Sequence, residues 1–87
     1  MQKQEIIQFH TLFAQIKEEL ERLFPDEEMF KEYMAFGVFP QHVHKSKKEH
    51  EKAVFILGEE IARAFSSHKY GIGRVAEKLF EMRRRIS

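Results

Sequence analysis

The residues best suited to chemistry in this chain are histidines, and they are unevenly placed. Of 5 histidines, His42, His44 and His50 fall within the stretch QHVHKSKKEHEKAVF, and His10 lies in EIIQFHTLFAQI. A neutral imidazole offers a lone pair to a metal ion, but the same ring also serves as a structural hydrogen-bonding group. Because the chain has no cysteine, a metal would have to be held by His, Asp or Glu. Three imidazoles, with water or a carboxylate as fourth ligand, suit zinc and also accept nickel or copper. His10 borders one apolar stripe, His50 lies on another, and the chain entering the second stripe returns His44 toward His50. His10, His44 and His50 are therefore the candidate metal ligands, with His42 in reserve. Their spacing does not fix a coordination geometry in the way that the His pair of HExxH does. The metal-free alternative stays open: His10 and His50 sit at core edges and latch two helices together through hydrogen bonds.

No catalytic signature accompanies these rings. YGIGRV lacks the preceding strand that would make its glycines a phosphate loop, and no serine stands beside a histidine as a nucleophile would. No carboxylate pair occupies a fixed apolar site. The expectation is a protein that is not an enzyme.

Helical elements position the histidines. Ile6, Phe9, Phe13, Ile16, Leu20 and Leu23 recur at steps of three and four, which predicts an amphipathic helix over 4–24 that Pro25 ends. Pro25-Asp26-Glu27-Glu28 can open a second helix, with an aromatic face of Phe30, Tyr33 and Phe36 and Gly37 as its C-cap. A connector over 38–45 follows. Ser46 and Glu49 have the spacing of a capping box, so a third helix is expected from Ser46 to about Ser66. His50, Ala53, Val54, Leu57, Ile61, Ala64 and Phe65 share one side of it, yet Phe55 and Ala62 point elsewhere, so covering one side is not enough. SSHKYGIG reads as a loop containing an exposed His68, and Val75, Leu79, Met82 and Ile86 as a fourth amphipathic helix. The predicted fold class is all-α, a small bundle of three long helices plus one short helix.

Length and composition set the remaining bounds. A chain of 87 residues is read as a single domain, 1–87. Its charges nearly cancel, at +1, so no overall field draws it to nucleic acid or to an anionic membrane. No stretch has the length or apolarity of a membrane span, and the N-terminal apolar run is interrupted by polar residues, so a cytoplasmic protein is expected. Nine phenylalanines are many for so small a core. A homodimer with Phe55, Phe30 and Tyr33 at its interface would cover them. Lys45, Lys47 and Lys48, with Arg83 to Arg85, make a phosphate or nucleic-acid contact conceivable. Carboxylates interleave with them, however, and a solvated surface explains these charges as well.

EIIQFHTLFAQI, the Tyr33 to Gly37 segment leading to Pro40, and VHKSKKEHEKAVFILGEEIA together resemble the archaeal uncharacterised protein family fifty-eight over residues 3–66. The most specific part is His44-Lys45-Ser46-Lys47 with His50, Ala53, Val54 and Phe55. The resemblance implies an all-helical fold in an archaeal cytoplasm. It keeps His10, His44 and His50 within the family pattern and leaves His42 and His68 outside it. Some members carry a metal-binding label. Three readings follow: a homodimer that binds zinc or another divalent transition metal through these histidines, a metal-free homodimeric interaction module, and a weak nucleic-acid binder.

Overall fold

Residues 1–66, 77 and 80–85 are described in the computed structural model, and all regular structure among them is helical. Three helices have defined bounds: α1 over Lys3–Leu23, α2 over Lys31–Phe36 and α3 over Lys47–Ser66. Residues 80–85 are also helical. The rest of the expected fourth helix and the loop holding His68 lie outside the described residues.

α1 and α3 follow the periodicity of the sequence closely. At the start of α1 the Gln2 amide donates to Glu5 Oε1 at 3.0 Å. At the start of α3 the Glu49 amide donates to Ser46 Oγ at 3.1 Å, and the Ser46 amide donates to Glu49 Oε1 at 3.3 Å. Both halves of the expected capping box are therefore formed, and each satisfies a backbone donor that the helix itself cannot. α1 turns Ile6, His10 and Leu20 inward, and α3 turns His50, Ala53, Leu57, Ile61 and Ala64 to meet them. Gly58 gives the α1 side chains room: a methyl group there would stand 3.1 Å from Phe13 Cε2.

The second helix corrects the sequence reading. It has 6 residues and begins at Lys31, not at Pro25. Pro25 follows Phe24 in a turn closed by the Glu27 amide on the Phe24 carbonyl at 3.1 Å. Proline's fixed φ serves the second position of a β-turn as well as the first turn of a helix, which is why the sequence did not separate the two. Phe30 then adopts a left-handed conformation, φ 63°. Left-handed backbone costs a non-glycine residue roughly 1–2 kcal/mol. The ring offsets that cost by burial, since Phe30 is 2 % exposed and packs in the core with Leu20, Tyr33, Val38 and Leu57. Gly37 caps α2 as expected, at φ 75°.

A buried histidine relay as the candidate functional site

His10 and His50 are both 0 % exposed. Their Nδ1 atoms face one another at 2.9 Å. His10 Nε2 lies 2.7 Å from the Tyr33 hydroxyl, and His50 Nε2 lies 2.8 Å from the His42 carbonyl oxygen. One line of hydrogen bonds therefore joins α2, α1, α3 and the connector in that order. The rings meet edge to face, with centroids 5.1 Å apart for His10 and His50 and 5.7 Å apart for His10 and Tyr33.

The chemistry of the two ends fixes where the protons sit. A carbonyl oxygen only accepts, so His50 Nε2 carries a hydrogen and donates it to His42. In a neutral His50 ring Nδ1 is then the bare nitrogen. His10 Nδ1 must carry the hydrogen between the two rings. That leaves His10 Nε2 bare, to accept from the Tyr33 O–H. Every donor meets an acceptor, and the relay runs in one direction. Burial supports this arrangement: it is the largest cause holding His10 down at about 4, ahead of the opposing charges of His50 and His42. Burial also pushes the Tyr33 hydroxyl up to about 12, so it remains a donor at neutral pH.

The connector and α3 hold the relay in place. The His42 carbonyl also accepts from the Lys45 amide at 3.0 Å, which closes the turn that delivers the chain to Ser46. The His42 ring turns inward locally, its Nδ1 accepting from the Phe39 amide at 3.1 Å. The Tyr33 amide, in the first turn of α2 where no helical carbonyl reaches it, donates to Glu60 Oε1 on α3 at 2.9 Å.

The structure unites two of the three candidate ligands. His44 is exposed, with its ring turned toward that of His42, centroids 6.0 Å apart. Among the described residues no three His, Asp or Glu side chains converge as a metal site requires. All four nitrogens of His10 and His50 are engaged in hydrogen bonds. His42 contributes its carbonyl to the relay and its ring to a local turn, not a ligand nitrogen. The interface residues separate as well. Phe30 and Tyr33 are 2 % and 1 % exposed and belong to the chain's own core, so they cannot meet a partner, whereas Phe55 is 73 % exposed. Lys45 and Lys47 lie 3.8 Å and 3.9 Å from Glu49 and Glu51, which disperses their charge, and the Arg83 guanidinium covers the Phe80 ring. The sequence reading missed Tyr33 as a relay member. The available signal was that a tyrosine placed among core aromatics needs a partner for its hydroxyl.

The family resemblance that keeps His10 and His50 within its pattern extends beyond the motifs that carry it. The profile of Uncharacterised protein family UPF0058 matches residues 1–86. The chain belongs to that family. The match takes in the C-terminal stretch as well as residues 3–66. UPF0058 relatives occur in archaea. One from Methanocaldococcus jannaschii is 35% identical over 69 residues, 78% of this chain and 67% of its own length. Another from Archaeoglobus fulgidus is 42% identical over 65 residues, 75% of this chain and 70% of its own length. The crystal structure of Vng1086c from Halobacterium salinarium aligns over 100% of both chains with a TM-score of 0.68 and 33% identity.

Proposed function

We propose that this UPF0058 chain is a metal-free interaction module that pairs with a second copy of itself through the outer face of α1 and α3. The observation that carries this reading is Phe55, 73 % exposed beside a groove of about 310 Å³ lined by Met1, Ile6, Phe9, Glu51, Val54 and Phe55. Phe9 and Leu12 continue the apolar face along α1, at 44 % and 42 % exposed. α2 does not cover it. Glu60, through which α3 holds α2, and Phe55 are five positions apart, about 140° around the helix.

A projecting ring next to an apolar recess large enough to receive it is self-complementary. A twofold axis brings each Phe55 to the other copy's groove, as an isologous interface requires. Helices of 21 and 20 residues lying side by side present a face about 30 Å long, on the order of 600 Å² per copy, close to the roughly 800 Å² typical of stable interfaces. Light scattering coupled to size exclusion tests the reading. The parent protein is expected at twice the 10.5 kDa chain mass and Phe55→Glu at the chain mass, with unchanged helical content. A parent protein that stays at the chain mass up to high micromolar concentration rejects it.

A further inference from the structure

We propose that the His10–His50 pair is an acid-released latch: its hydrogen-bond line is complete while both rings are neutral, and proton uptake places a cation in a dry site and opens the connector that His50 holds. A further proton fits only if the line reverses at Tyr33. Protonated on both nitrogens, His10 would direct Nε2–H at the Tyr33 oxygen, 2.7 Å away, and the hydroxyl would have to turn its own hydrogen away from His10. Were His50 to carry the extra proton, its Nδ1–H would meet the N–H of His10 across 2.9 Å unless His10 changed tautomer, which returns the same conflict to Tyr33. In either case a cation is created where both side chains are 0 % exposed.

The groups facing the pair offset that cation only in part: the Glu49 carboxyl is held below the usual range chiefly by its Ser46 hydrogen bonds, with only a smaller pull from His50. α2 presents Tyr33, a neutral phenol. The connector presents the His42 carbonyl to His50, and the His42 ring adds to the opposition that His50 exerts on positive charge at His10. α3 carries two carboxylates nearby, both engaged elsewhere: Glu49 on the amide and hydroxyl of Ser46, and Glu60 on the amide of Tyr33. Among the described residues no carboxylate hydrogen-bonds either ring. Relief therefore comes from exposing the rings to water. From Phe39 onward the connector's hydrogen bond to the pair is the one at His42, whose carbonyl also closes the turn before Ser46, so this stretch yields while Val38 stays in the core.

The linkage has a definite sign. The folded state holds His10 at about 4 against 6.5 for the free ring, so the neutral form favours folding. Its contribution is complete above pH 6.5 and is lost as pH falls toward about 4, a drop on the order of a hundredfold in the folding constant.

Nitrogen-15 NMR of the full chain tests the proposal. At pH 7 His10 is expected as the Nδ1–H tautomer and His50 as the Nε2–H tautomer. On acidification, protonation of His10 and loss of amide exchange protection from Phe39 to Lys45 are expected at one midpoint. In His50→Asn, whose amide oxygen stands about where Nδ1 stood, the His10 midpoint rises toward 6.5, because an opposing charge has gone. Where that variant does not fold, the parent titration decides alone. Protonation of His10 with connector protection intact overturns the latch, as does loss of protection while His10 remains neutral.

Discussion

At residue scale, the two imidazoles illustrate how one residue type is assigned a role by its surroundings. His44 and His50 lie six positions apart in the sequence, yet His44 is exposed and His50 is fully buried, and only the buried ring must account for both nitrogens. Tyr33 completes that account. Tyr33→Phe would leave His10 Nε2 buried without a donor, and a loss of about 1–3 kcal/mol is expected in chemical denaturation. A loss under half a kilocalorie would mean that water replaces the hydroxyl. The same saturation governs metal binding. Excess zinc is expected to leave the melting temperature unchanged, because an ion must first displace the proton shared by His10 and His50. A rise that grows logarithmically with zinc concentration would show that the relay opens to take a ligand.

At element scale, helices with strong local signals were legible and the element defined by tertiary contact was not. Ser46 and Glu49 announce α3 because the cap needs only neighbours in sequence. Ser46→Ala is expected to lower stability by about 1 kcal/mol, read from thermal unfolding, with α3 otherwise intact. The start of α2 depends on where the Phe30 ring finds the core, which no local pattern encodes. The aromatic run was visible in the sequence, but an inward face and an interface face look alike until the packing partner is known. Phe30 and Tyr33 turned inward; Phe55, the residue that broke the α3 stripe, remained outside. The pairing of His10 with His50 could be read from their positions on facing stripes. The direction of the relay could not, since it rests on a backbone carbonyl that becomes available only once the connector has folded.

At the scale of the whole molecule, cohesion is unevenly shared. α1 and α3 meet along an apolar seam, whereas α2 and the connector are tied to that pair partly through Tyr33, Glu60 and the relay. Acid is therefore expected to act on this side first, while the Phe55 face, which contains no histidine, keeps its apolar character. Self-association should thus persist at a pH where connector amides already exchange, and the order of the two events can be followed in one titration by light scattering and exchange. The seam itself imposes a further condition. Where Phe13 lies over Gly58, the space between helices is already filled by one ring, so a methyl group at position 58 makes that ring give by a few tenths of an ångström and larger bulk there calls for less at position 13. Larger residues at position 58 are therefore expected beside smaller ones at position 13 wherever the two long helices keep this spacing.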